Sequence, residues 1–290
     1  MLHYSSLPLS LLAGYRARVC EMRETFTRVI AAIAAAVGWG ALLLQYWIIL
    51  QQNAFLPGLW RFLGFFTILT NLFAATVATA IVFGSRNAIS SARAKLMAAT
   101  SILMVGIVYS IALRSVWSPE GLQKVADVGL HDAAPLLWLV LWLIAPHPRL
   151  DWREIWWALA LPTLYVVYAM GRGALDGWYA YWFLNPAEQS PAGLLLSICV
   201  LVCGFALMAA GLIAVDRRLG NVRRDRDRLV DEAGEDSFPA SDPPGWTLGP
   251  TRPTDLSRGG SSPPGTRRPG SPVRCGWSLQ ASRTRRADRL

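Results

Sequence analysis

The chain of 290 residues is 53% hydrophobic, only 16% charged, and carries a formal net charge of +9. Soluble domains carry roughly 25% charged residues. Here the apolar residues come in long runs rather than at amphipathic spacing, which excludes an ordinary soluble domain and points to a polytopic membrane protein. Most of the positive charge lies in flanks and loops, so it reads as membrane orientation plus a basic tail and not as a nucleic-acid surface.

Residues 1–28 form a polar, basic N-terminal segment with Arg16, Arg18, Arg23 and Arg28. The short apolar run Leu7 to Ala13 precedes these arginines, the reverse of a signal peptide, so no cleaved signal is expected. Met22 opens MRETFTRV directly before the first span and is an expected alternative start. The transmembrane domain is placed at 29–216. Its six predicted spans are Val29–Leu50, Trp60–Phe83, Leu96–Val116, about Val125–Ala145, Ile155–Met170 and Gly193–Val215. The fifth is short, carries Pro162, and has room to lengthen past Arg172.

Loop charge predicts the topology. The N-terminus, the loop with Arg86, Arg93 and Lys95, the loop with Arg149 and Arg153, and Arg217, Arg218, Arg223 and Arg224 all fall on one side. Fewer cations fall on the other: Arg61, Arg114, Lys124 and Arg172. Both termini are therefore expected in the cytoplasm, and six spans return the chain to its starting side. Trp60, Trp117, Trp178 and Trp182 are expected at the outer interface, and Trp152, Trp156 and Trp157 at the inner one. Residues 217–290 are rich in Arg, Pro, Gly and Ser and lack apolar periodicity, so a disordered cytoplasmic tail is expected. Residues 217–229 can continue the sixth helix briefly.

The most site-like stretch is ADVGLHDAAPLLWLVLW, Ala126 to Trp142. Ionisable groups within a hydrocarbon-length segment are costly and usually face a protein interior or a wet cavity. Asp127 and His131 are four apart and share a helix face. Pro135 has no N–H, so the His131 carbonyl loses its helical partner. In the second span, Thr67 and Asn71 also share a face. Counted down a straight helix from Trp60, Thr67 lies roughly 10 Å deep, close to the depth of His131. An imidazole there can take the hydroxyl proton and activate a weak nucleophile, with Asp127 orienting the ring. A third motif, GRGALDGWYAYWFLNP, places Arg172, Asp176 and Tyr179 at the outer end of the fifth span as an expected lid.

FFTILTNL, ADVGLHDAAPLLW and RGALDGWYAYWFLNP, in this order on six spans, resemble the bacterial Pr6Pr family of membrane proteins. The resemblance covers about residues 28–216. More distantly, the arrangement is similar to the androgen-induced and androgen-dependent TFPI-regulating membrane proteins, six-span hydrolases of fatty-acid esters of hydroxy fatty acids. That likeness implies Thr67 as nucleophile and His131 as base, in an inner-membrane protein acting on a lipid ester. Asn71 is the expected oxyanion donor. After its histidine this chain carries Asp132 and Ala133, where less acidic neighbours are expected.

There is no P-loop, no Rossmann fingerprint and no GxSxG elbow. Cys20, Cys199, Cys203 and Cys275 form no zinc pattern, and His3 and His147 lie far from His131 in the topology. No metal and no cofactor are expected. Cys199 and Cys203 read as small apolar packing residues. The expected fold is an all-α six-helix transmembrane bundle in a lipid bilayer. Two other classes stay open: a small proton-coupled carrier or channel, suggested by intramembrane Asp and His with Pro135 and Pro162, and a membrane scaffold without catalysis.

Overall fold

The computed structural model describes residues 9–85, 87–145 and 149–236, and side chains within 18–220 apart from 86 and 146–148. The chain divides into two compact units, Glu21–Gly220 and the two flanks beyond it. In the flanks, 9–20 and 221–236 are helical. The packing and the candidate site described below lie in the first unit.

The described chain is helical, with no strand among the described residues. In order, the helices are α1 (Leu9–Leu50), α2 (Phe55–Phe62), α3 (Phe66–Val82), α4 (Ala92–Val108), α5 (Gly121–Val128), α6 (Ala134–Ile144), α7 (Ile155–Asp176) and α8 (Pro191–Asp236). A π turn over Tyr109–Leu113 prolongs α4, and another over Gly129–Ala133 joins α5 to α6. Five rods are long and apolar enough to cross a membrane, and six if the α2–α3 pair counts as one broken span. Large apolar side chains point outward along them, among them Leu43, Leu136, Leu164, Val167, Leu196 and Leu207. In water such a surface would drive association, and in a bilayer it is the expected face.

The core is built from small residues. Ala31, Ala34 and Ala35 of α1 pack with Ala74, Ala78, Ala98, Ala99, Ala158 and Ala209. Small side chains let helix backbones approach closely where lipid tails remove the hydrophobic drive for association. A Cβ on Gly38 would lie 3.2 Å from Ala75, and one on Gly129 only 2.7 Å from Ala41. α4 lies centrally, packed on α3, α6 and α7.

Several elements differ from the sequence reading. The second span is not one straight helix: α2 and α3 meet at 85° across residues 63–65. Hydropathy is continuous through FLGFF, but Gly64 weakens the helix there. The freed carbonyls find partners on α7, where the Tyr165 hydroxyl donates to Gly64 O at 3.0 Å and the Tyr168 hydroxyl to Leu63 O at 3.2 Å. A broken helix at membrane depth is tolerable when neighbours satisfy its backbone in this way. Thr67 therefore stands in the first turn of α3 and does not lie partway down a straight span, so the depth count from Trp60 does not apply.

The fifth span does lengthen, to Asp176, where Gly177 at φ 71° caps it and returns its N–H to Gly173 O. Pro162 lies inside it. α1 begins twenty residues before the predicted first span, so much of the basic N-terminal segment is helical from Leu9. Arg23 has a packing role beyond topology. Its guanidinium donates to Ile144 O at 2.9 Å and to Ala145 O, covering carbonyls that end α6. α8 takes in the expected continuation 217–229 and runs to Asp236. Residues 237–290, which hold most of the predicted tail, lie outside the described residues. Cys199 and Cys203, read from sequence as small apolar packing residues, are exposed on the surface of α8.

Candidate functional site

Thr67, Asp127 and His131 meet at the end of the bundle that carries the 51–65, 114–120 and 177–190 connections. Thr67 Oγ1 lies 3.4 Å from His131 Nε2. On the other side of the ring, Nδ1 lies 3.2 Å from Asp127 Oδ1 and 3.1 Å from the Asp127 carbonyl. Both atoms facing Nδ1 are acceptors, so Nδ1 carries the proton. Nε2 is then left with its lone pair toward the Thr67 hydroxyl, the tautomer a general base requires.

The second Asp127 oxygen accepts from the Tyr109 hydroxyl. The Tyr109 ring stacks on the imidazole, with centroids 4.0 Å apart and planes 18° apart. The ring of His131 is thus fixed by a hydrogen bond at one nitrogen and a stacked face. Arg114 lies 5.1 Å from the Tyr109 ring centroid and pairs with Asp132. The acidic neighbour of His131 therefore has a cation of its own and does not compete for the imidazole.

Local sequence explains the presentation. The proline ring at 135 would clash with the carbonyl four residues back. The π turn relieves this by pairing Ala134 N–H with Gly129 O, a wider register. π turns inside α-helices recur at functional sites because they displace side chains from the regular helical rows. Tyr109 sits on the other π turn, so the two stacked rings both project from widened backbone. Gly106 makes the close approach feasible. A Cβ there would lie 3.0 Å from His131 O and 3.2 Å from Pro135. Gly106→Val is expected to part α4 from the His131 turn, at a cost of about 1–3 kcal/mol for overpacking. Thermal unfolding in detergent would register it, and an unchanged midpoint would contradict this close contact.

Asn71 is 1% exposed. Its amide nitrogen donates to Thr67 O at 2.9 Å and to Leu130 O at 3.4 Å. These bonds tie the first turn of α3 to the π turn of His131 and occupy the donors expected for an oxyanion. Asn71 holds the pair together rather than facing it.

Two cavities share the Thr67 position. One, of about 760 Å³, sets Gln45, Gln52, Asn53, Arg61, Asp127 and His131 among apolar walls from Ile48, Phe65, Val116 and Trp117. The other is a narrow apolar slot of about 60 Å³ between α3, α4, α7 and α8, lined by Phe66, Val105, Pro162, Val166, Leu201 and Phe205 among others. Thr67, Tyr109 and Tyr181 border both.

The expected lid residues are placed elsewhere. Arg172 is 5% exposed, with its guanidinium 4.3 Å from the Trp60 ring and 4.8 Å from that of Trp178. Asp176 accepts from Arg172 Nε at 3.3 Å and from Trp60 Nε1 at 2.8 Å. Tyr179 packs its ring against Gly173. All three fasten the loop and none lines either cavity. The loop reaches the site instead through Tyr181, whose hydroxyl lies 3.5 Å from Thr67 Oγ1. Tyr109 and Tyr181 were not singled out from the sequence, because tyrosines in aromatic-rich or apolar stretches read as interfacial belts. The signal that could have found Tyr181 is its place in the third motif.

Among the described residues no group of His, Cys, Asp and Glu is arranged to hold a metal ion. Comparison with family models, curated proteins and solved structures gives no match. Fold and site define a helical protein with membrane-length apolar rods and a largely buried Thr–His–Asp cluster at one end.

Proposed function

We propose that this chain is a multi-pass inner-membrane hydrolase of lipid esters, with Thr67 as nucleophile and His131 as general base. The observation that carries the reading is the continuous series Thr67 hydroxyl, His131 imidazole, Asp127 carboxylate, with contacts of 3.4 and 3.2 Å. A triad is recognised by such geometry and roles, not by sequence position. The narrow apolar slot and the larger, partly polar cavity meeting at Thr67 suit an ester with two arms of different size. The distant resemblance to the androgen-induced and androgen-dependent TFPI-regulating hydrolases rests on Thr67 and His131 in their motifs and points the same way.

In the reaction, His131 Nε2 takes the Thr67 proton as the oxygen attacks the ester carbonyl. The alcohol leaves with that proton, giving an acyl-threonine. Water then attacks, again with His131 as base, and the acid is released. Asp127 and Tyr109 keep the ring in the required tautomer. A fluorophosphonate probe applied to membranes holding the full chain should label it covalently. Absence of labelling and of ester hydrolysis would refute the reading in favour of a carrier or a scaffold.

The orientation belongs to the same proposal. Cysteine or fusion-reporter mapping should place Arg149 and Arg218 in the cytoplasm, and Trp117 and Asp176 on the far side, so that the site opens outward. A periplasmic C-terminus would overturn it.

A further inference from the structure

We propose that Tyr181 is the oxyanion donor of this site, acting with the backbone N–H of Thr67; the proposal rests on Thr67 being the nucleophile. Its hydroxyl lies 3.5 Å from Thr67 Oγ1 and 3.4 Å from Thr67 N. When Oγ1 bonds to an ester carbon, the carbonyl π pair moves to oxygen. That oxygen stands roughly one bond length beyond the new bond, within reach of donors that flank Oγ1. The Tyr181 O–H and the Thr67 N–H are two donors so placed.

Thr67 is the second residue of α3, whose N-terminal residue carries no side-chain cap. The first N–H groups of a helix have no partner within it, and the helix end favours negative charge. The Thr67 N–H rests on the Tyr181 oxygen at a distance beyond the usual 2.7–3.2 Å range. An oxyanion that takes this N–H displaces only a weak contact.

The hydroxyl is held in place from several sides. The Tyr181 ring stacks on Phe183, with centroids 5.2 Å apart and planes 11° apart, and meets Phe65 and Tyr165 edge-on. Leu184, three residues on, is 2% exposed and anchors the loop beside Tyr165 and Ala169. Burial pushes the Tyr181 phenol above the usual tyrosine range. The group therefore stays a neutral O–H donor, as charge stabilisation requires. Asn71, the donor expected from sequence, has its N–H groups engaged.

The step balances without a further reagent. Thr67 loses its proton to His131, the Oγ–C bond forms, and the oxyanion is held by two hydrogen bonds. Collapse restores the carbonyl, breaks the C–O bond to the alcohol, and returns the proton from His131 to the leaving alkoxide.

The test compares Tyr181→Phe with the unaltered full chain in detergent, on 4-nitrophenyl octanoate and its thionoester analogue, with Thr67→Ala alongside. The substitution keeps the ring and its stack, so the melting midpoint should hold. Its kcat/KM on the oxygen ester should fall about 10²–10³-fold. The thionoester, whose sulfur accepts hydrogen bonds poorly, should fall far less, so the oxygen-to-sulfur rate ratio collapses. Unchanged kcat/KM, or an equal fall on both esters, would overturn the Tyr181 assignment while the nucleophile stands. Full hydrolysis by Thr67→Ala would overturn the nucleophile reading, and the Tyr181 proposal with it.

Discussion

Thr67→Ala and His131→Ala are each expected to lower ester hydrolysis by at least about 10³-fold and to leave membrane levels close to those of the unaltered chain. Loss of a nucleophile or its base removes covalent catalysis but not the donors that stabilise charge, so the residue left is set by the oxyanion site. The effects should not add, because the two groups act in one step. Neither change threatens the fold. Thr67 Oγ1 makes only long contacts, 3.4 Å to His131 and 3.5 Å to Tyr181. His131 is held by stacking and by Asp127, and its removal leaves Tyr109 still bonded to Asp127.

Asp127→Asn should cost less, near the low end of the roughly 10²–10⁴-fold that a positioned general base supplies. The reason is local. The Asp127 backbone carbonyl also faces Nδ1, at 3.1 Å, and the substitution leaves it in place. The required tautomer keeps an acceptor even when the carboxylate is gone. A proton carrier would give the reverse order, with Asp127 and His131 sensitive and Thr67 tolerant. Hydrolysis across the three variants, measured beside proton flux in vesicles holding the full chain, separates the two mechanisms.

Much of this was open to reading from the chain. Long apolar runs give the membrane-length rods because a bilayer forces backbone groups to pair within a segment. Asp127 and His131 stood out because charge in such a run needs a reason, and their i, i+4 spacing already put them on one face. Thr67 and Asn71 did not stand out alone, since hydroxyls and amides in apolar helices commonly satisfy a neighbour. What was hidden depends on tertiary partners. The break at Gly64 leaves no mark in hydropathy, and its carbonyls are satisfied by tyrosines about a hundred residues away. The π turn at His131 follows from Pro135 only once Gly106 is known to leave room for the displaced carbonyl. Arg172 reads as a lid residue in sequence because spacing shows Asp176 but not the two indole faces around it.

Arg172→Ala is expected to be the most damaging change outside the triad. The guanidinium sits between the rings of Trp60 and Trp178, 4.3 and 4.8 Å from their centroids. Each desolvated cation–π contact contributes about 0.5–2 kcal/mol. The truncation also opens a cavity and takes a donor from Tyr168, so the loss should reach about 2–4 kcal/mol of stability. Asp176 adds little, since it is part-exposed and keeps the Trp60 N–H and the Trp178 N–H. Asp176→Asn should therefore be mild. Arg172→Lys should recover only part, because an ammonium cannot lie flat between two rings. The consequence extends to chemistry. Gly64 packs directly on this cluster: a Cβ there would lie 2.3 Å from an Arg172 nitrogen and 2.5 Å from Trp178. The cluster thus holds the α2–α3 break, which presents Thr67, and the loop that carries Tyr181. Thermal unfolding in detergent should show a midpoint lowered by several degrees. Phosphonate labelling of Thr67 should fall at temperatures well below that midpoint. A variant that melts and labels like the unaltered chain would show that the Trp60–Arg172–Trp178 cluster does not position the site.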